Sequence, residues 1–329
     1  MAARTKELVL RAWYLVPGPS LVRGPSLVRG PSVVRGPSVV RGPWSMIVRV
    51  AATVAFFVCV AASGTAQQRR IVSLVPALTE MLFAIGAGPQ VVGVGSFDTF
   101  PPDIQKLPRV GALLDPDTER ILSLRPTLVL TYGSQTELNK QFERAGIKAY
   151  VYRHGGIETI FKTLRDLGDA TGQRQQADEV VRGLQTRMDA VRARVRGRPR
   201  PRVLVVIGRQ PKTLREIYVS GGRGFLHEVL EIAGGRNVFA DVSRESAQPS
   251  QETMLARAPD VIVELQVEAM FGSADVAEAK TVWSALSSLP AVRNNRVHVL
   301  TGQYLVVPGP RIADATEALA RTLHPESFK

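Results

Sequence analysis

Two stretches of the chain, DPDTERILSLRPTLVL from Asp115 and QPSQETMLARAPDVIV from Gln248, lie over each other in one frame. Pro116 falls on Pro249, Glu119 on Glu252, Leu122 on Leu255 and Pro126 on Pro259, and each frame runs into an apolar, β-branched segment. A helix-then-strand unit used twice restricts the chain to α/β architectures, because strands that alternate with helices pair in parallel and are covered on both faces. The same alternation continues on either side. RIVSL reads as a strand, ALTEMLFAIGAG as a helix stopped by Gly86 and Gly88, and VVGVGS as a strand. DPDTERILSLRP reads as a helix with Asp115 as cap and Pro116 at its first position, where the missing N–H costs nothing. TLVLTY and IKAYVY are strands on either side of the helix QTELNKQFERAG.

The period then changes. From Gln173 to Arg196 there is no proline, and Val180, Val181, Leu184, Met188, Val191 and Val195 recur at three- and four-residue spacing. That predicts one helix of about 20 residues, or ~30 Å, ending at the stiff, charged GRPRPR. After it the alternation restarts with VLVVIG, EIYVS, GFLHEVLEIAGG, DVIVEL and RVHVL, and a closing helix runs from Pro310 to Leu323. The expected fold is therefore two Rossmann-like α/β lobes, residues 67–172 and 198–329, joined by a single long α-helix over 173–197.

Residues 1–66 stand apart. Gly18 to Arg41 is four tandem hexapeptides, GPSLVR twice and GPSVVR twice, whose prolines forbid a regular helix or central strand. Residues 1–45 read as translated repetitive DNA upstream of the true start, with a flexible tether as the alternative. Met46 opens a secretory signal: Arg49, an apolar run from Val50 to Ala62, then Gly64 and Ala66 at the −3 and −1 places. The run is shorter than the roughly 20 residues of a membrane span. Cleavage after Ala66 would give an exported, periplasmic chain starting at Gln67. The only cysteine, Cys59, lies inside the apolar run after Phe57 and Val58, which disfavours a lipid anchor. Seven of the 13 net positive charges also fall in residues 1–66. The rest are spread with no basic stripe, so nucleic acid is not an expected partner.

Catalytic and metal signatures are missing. His154, His227, His298 and His324 are scattered, and there is no nucleophile elbow and no phosphate loop. Gly221 to Gly224 reads as a tight turn or, less readily, an anion loop. More informative are the aromatics at strand ends: Phe97 and Phe100, Tyr132, Tyr218 and Tyr304. Ligands of open α/β sheets bind outside the carboxyl ends of the strands. Any one of these rings reads first as ordinary packing; several together at strand ends favour a flat or bulky apolar ligand. Glu119 and Glu252 each fall in a first helical turn, where the dipole alone stabilises a carboxylate by roughly 0.3–1 kcal/mol. Helix stabilisation and partner contact remain equal readings of that pair.

Together, RIVSLVPALTEMLFAIG, VGVGSFDTFPP, LDPDTERILSLRPTLVL, YVSGGRGFLHEVLEIAGGRNVF, PSQETMLARAPDVIV and PGPRI resemble the periplasmic substrate-binding proteins of ABC importers for cobalamin, haem and iron–siderophores, over about Arg70 to Leu323. The resemblance implies the class III periplasmic binding protein fold and no enzymatic activity. It implies capture of the ligand between the two lobes, in a pocket lined by Pro76, Phe97, Tyr132, Tyr218 and Tyr304, and delivery by docking on the permease subunits through Glu119 and Glu252. No intrinsic cofactor or protein-held metal is implied, and the expected state is a monomer. The motifs are nearest the cobalamin-binding branch, so cobalamin or cobinamide is the expected ligand, with haem or a ferric siderophore as alternative and Tyr132 as an iron ligand. The departures are Leu113 where an aromatic is expected, Gln303 and Val307 at polar or charged positions, and Trp283 as the only tryptophan after residue 66. From another class, the rival is a secreted α/β enzyme acting on a nucleotide or sugar.

Overall fold

A computed structural model describes residues 69–267 and 276–329, so the expected repeats, export signal and cleavage point lie outside the described residues. The first lobe runs β1 (Ile71–Ser73), α1 (Pro76–Ala84), β2 (Val91–Val94), α2 (Thr118–Ser123), β3 (Leu128–Tyr132), α3 (Thr136–Arg144), β4 (Lys148–Tyr152) and α4 (Ile157–Thr171). Its four strands pair in parallel in the order β2-β1-β3-β4. All five residues of β3 are buried, as a strand covered on both faces requires.

One boundary differs from the sequence reading. The helix expected to be capped by Asp115 starts later, at Thr118, and Asp117 caps it by accepting the Arg120 N–H at 2.9 Å. Pro116 is instead bridged to Gly111, and the Asp117 N–H donates to the Val110 carbonyl at 3.0 Å. Those contacts hold the chain extended and delay the helix. In the second copy of the frame, Ser250 caps α7 (Gln251–Arg257), accepting the Thr253 N–H at 3.2 Å.

α5 (Arg174–Val195) leads into the second lobe: β5 (Arg202–Gly208), β6 (Tyr218–Ser220), α6 (Phe225–Ile232), β7 (Arg236–Asn237), β8 (Ser246–Ala247), α7, β9 (Val261–Gln266), α8 (Val276–Trp283), α9 (Pro290–Arg293), β10 (Val297–Thr301) and α10 (Ile312–Leu323). The strand order is β10-β9-β5-β6-β8, with β7 on the start of β5. β10, β9 and β5 are parallel, β6 is antiparallel to β5, and β8 is antiparallel to β6. The second sheet is thus mixed, because a loop rather than a helix returns the chain from Gly208 to Tyr218.

α5 buries Ala177, Val181, Leu184, Met188, Val191 and Val195, one stripe of a 3.6-residue period. Through that stripe a single apolar core runs from β1, α1 and α4 to β5, α6 and α10. Each fully buried Leu, Ile or Val side chain in it contributes about 1.5–3 kcal/mol. Opening the lobes widely would split this core, so their relative motion is restricted. Beside it, Glu264 is buried with its charge matched: one oxygen accepts from Arg209 at 3.1 Å and Trp283 at 2.8 Å, the other from Gln266 at 2.8 Å. A buried ion pair is tolerated when its lone pairs are satisfied in this way.

Candidate ligand-binding cleft

Parallel pairing brings the ends of β1, β2, β3 and β4 to one edge of the first sheet, and a pocket opens there. Leu74, Val75 and Pro76 come from the β1–α1 turn, Gly95, Ser96, Phe97 and Asp98 from the chain after β2, and Leu113 from the loop before α2. Tyr132 ends β3, and His154 follows β4. Pro76, Phe97 and Tyr132 therefore share one wall. Tyr218 lies half-buried at the start of β6, opposite Gly208, and is not part of that wall. Tyr304 sits in the 3-10 turn Gln303–Leu305, its ring 5.9 Å from the Arg311 guanidinium, and is likewise outside the lining.

Three rings meet edge-to-face at this wall. Centroids are 4.9 Å apart for Tyr132 and His154, 5.4 Å for Tyr152 and His154, and 6.0 Å for Tyr132 and Tyr152. Such pairs are worth about 0.5–1.5 kcal/mol beyond burial. Burial pushes the His154 imidazole down to about 4, so it is neutral at physiological pH. Burial also pushes the Tyr152 phenol upward. His154 was missed by looking for metal-ligand spacing. The strand-end rule that picked out Tyr132 reaches it two residues beyond β4.

Asp98 is 2% exposed. Burial raises its carboxyl to about 7, against the opposing pull of the Thr79 hydroxyl and the Arg109 guanidinium, while Glu80 adds to the rise. Arg109 donates to main-chain carbonyls, at 3.0 Å to Gly95 and 2.7 Å to Asp98.

Contacts between the lobes border the cleft. Arg311, just before α10, binds Glu80 of α1 in a bidentate pair at 2.8 and 2.5 Å, and its guanidinium lies 4.2 Å from the Phe100 ring centroid. Burial raises the Glu80 carboxyl, and Arg311 opposes that. Gln303 bonds the Thr99 hydroxyl and donates to the Phe97 carbonyl at 3.3 Å. On α6, Glu228 accepts the Ile157 N–H at 2.6 Å and so caps α4 from the other lobe. Gly156 makes room for it: a Cβ there would lie 2.0 Å from a Glu228 oxygen.

Glu119 and Glu252 are exposed in the first turns of α2 and α7, one per lobe. The Ser250 hydroxyl holds the Glu252 carboxyl below its ordinary range. Among the described residues no three His, Cys, Asp or Glu side chains gather into a metal site, and no helix is long and apolar enough to cross a membrane.

Two α/β lobes on one spanning helix, with a pocket outside the strand ends, define the class III binding-protein fold, and its family and relatives are solute-binding proteins, not enzymes. The chain belongs to the periplasmic binding protein family, whose pattern matches residues 71–304. A vitamin B12-binding protein of Salmonella typhimurium strain LT2 is 31% identical over 257 residues, covering 77% of this chain and 90% of that protein. The uncharacterized ABC transporter substrate-binding lipoprotein YvrC of Bacillus subtilis is 28% identical over 276 residues, covering 80% and 82%. Among solved structures, the periplasmic heme-binding protein RhuT from Roseiflexus sp. RS-1, in apo form, aligns with a TM-score of 0.68 at 28% identity, covering 79% of this chain and 99% of that one.

Proposed function

We propose that this protein is exported, captures a corrinoid in the pocket at the strand ends, and delivers it to an ABC importer. The observation that carries the choice of ligand is the chemistry of the pocket wall. Its residues are apolar or aromatic, with Ser96, a neutral His154 and the single acid Asp98, and none carries a positive charge at physiological pH. Haem brings two propionate carboxylates, which bind best where cations meet them. The nearby cations Arg109 and Arg311 are engaged with carbonyls and with Glu80. A corrinoid presents uncharged carboxamides around a large ring, and that matches a wall without cations. The vitamin B12-binding relatives support the same reading.

In this reading Pro76, Phe97 and Tyr132 seat the ring, Tyr218 and Tyr304 approach from the second lobe, and the protein works as a monomer. Glu119 and Glu252 meet one permease subunit each. A second reading is haem, favoured by the neutral His154 beside the Tyr132 phenol, two donor types suited to iron. Incubating the purified protein with equal amounts of aquocobalamin and haemin, then desalting, separates the two. The retained visible spectrum should be that of the corrinoid; a retained Soret band alone would give the pocket to haem.

A further inference from the structure

The pocket contains one polar group that the fold does not use. Neither carboxyl oxygen of Asp98 has a partner at full hydrogen-bond geometry among the described residues, although the Thr79 hydroxyl and the Gly95 N–H lie near enough to favour its charged form. Its nearest polar neighbours are already committed: the Thr79 hydroxyl donates to the Val75 carbonyl at 3.4 Å, and the Gly95 N–H to the Ser73 carbonyl at 2.9 Å. Arg109 reaches the Asp98 carbonyl rather than its carboxyl. Gly95 lets the carboxyl fold back under the pocket, for a Cβ there would stand 2.8 Å from the Asp98 Oδ2. A buried carboxyl without partners is costly to keep, and such groups call for a specific reason. An apolar residue of the same size would fill this space without that cost. The group is therefore better explained by something that arrives than by anything already present.

We propose that Asp98 is a specificity determinant: it takes a hydrogen-bond donor of the carboxamide class from the ligand in this pocket, and it disfavours ligands whose edge is carboxylate. This rests on the reading of the pocket as the ligand site. As a neutral acid, the carboxyl matches a primary amide in both directions, donating O–H to the amide oxygen and accepting from its N–H. As a carboxylate it still accepts the amide N–H, but it repels a propionate. Both protonation states thus bond an amide, and the ionised one turns a propionate away, whereas a neutral acid would donate its O–H to that carboxylate. The effect is of the kind in which a site built to bond a polar group discriminates strongly against a ligand that lacks it.

The test compares wild type, Asp98→Leu and Asp98→Asn by titration with aquocobalamin and with haemin, alongside the thermal midpoint of each ligand-free protein. Asp98→Leu should weaken cobalamin at least tenfold while the ligand-free midpoint stays or rises. Asp98→Asn should keep cobalamin within about threefold, because an amide still bonds an amide. Both variants should bind haemin more tightly than wild type, which shifts the ratio of the two affinities. An unchanged ratio in Asp98→Asn overturns the proposal, as does unchanged cobalamin affinity in Asp98→Leu. If Asp98→Leu does not fold, the ratio in Asp98→Asn decides. If the wild type takes haemin and no corrinoid, the corrinoid reading fails by itself. Asp98 is then judged by whether its removal tightens haemin, and no change overturns it. Binding of neither ligand removes the pocket reading and this proposal together.

Discussion

Glu228 in the second lobe accepts the backbone N–H of Ile157 in the first, at 2.6 Å, and so supplies the cap that α4 lacks in its own sequence. Its counterpart is Glu80. LTEML (Leu78–Leu82) on α1 and LHEVL (Leu226–Leu230) on α6 place a glutamate near the start of the first helix of each lobe, at its fifth and fourth residue. Each crosses to the head of a helix packed on α5, α10 for Glu80 and α4 for Glu228. The two crossings are chemically unequal. Glu80 is met by a guanidinium and is 2% exposed, whereas Glu228 is met by a main-chain amide.

That inequality predicts different costs. Glu228→Ala should lower the free energy of unfolding by about 1 kcal/mol, the usual worth of a cap. Gly156→Ala should have a similar effect by displacing the same carboxylate. Glu80→Ala leaves Arg311 without its carboxylate in a mostly buried setting and should cost roughly 3–5 kcal/mol. Urea unfolding of the three variants checks the order, and equal losses for Glu80→Ala and Glu228→Ala would contradict it.

Two pocket groups should shape stability against pH with opposite signs. Asp98 titrates near 7 in the folded chain, above its ordinary 3.8, so the folded state holds the proton more tightly. Its contribution falls as pH rises from about 4 to 7, by at most about 1.4 kcal/mol per pH unit. His154 is lowered to about 4 from 6.5, so its contribution is present above 6.5 and is lost as pH falls toward 4. Asp98→Asn should therefore gain on wild type steadily between pH 4.5 and 7.5. Urea midpoints at several pH values measure this, and a pH-independent difference between the two proteins would contradict it.

Glu119 and Glu252, at matching places in the repeated helix–strand frame, stand exposed, one per lobe, as a two-site partner would require. Charge across such an interface sets orientation and association rate. Glu119→Arg, Glu252→Arg and the double variant should leave folding and ligand affinity nearly unchanged. Ligand uptake by cells relying on this protein should fall, furthest in the double variant. Normal uptake with the folded double variant would reduce both residues to helix stabilisers.

Much of the fold was legible because it depends on local period. The α5 stripe and the alternation of strands and helices follow from residue spacing alone. The cap at Asp117 was not legible, because the Gly111–Pro116 bridge that delays α2 is a tertiary contact. Phe97 and Tyr132 were readable as strand-end aromatics, and Pro76 only through the family resemblance. Asp98 looked like any loop acid, since only burial gives it meaning. Glu80 and Arg311 lie 231 residues apart, and Glu228 and Ile157 lie 71 apart, so neither crossing leaves a trace in local sequence.

The central claim is that a corrinoid fills the pocket beside Tyr132. Calorimetric titration of the ligand-free protein with aquocobalamin tests it most directly, repeated on Tyr132→Ala. A ring of this size contributes about 1–3 kcal/mol by burial and stacking. One-to-one binding that weakens about tenfold or more in the variant is the predicted result. No binding of cobalamin by the wild type, with tight haemin binding lost in Tyr132→Ala, would contradict the account.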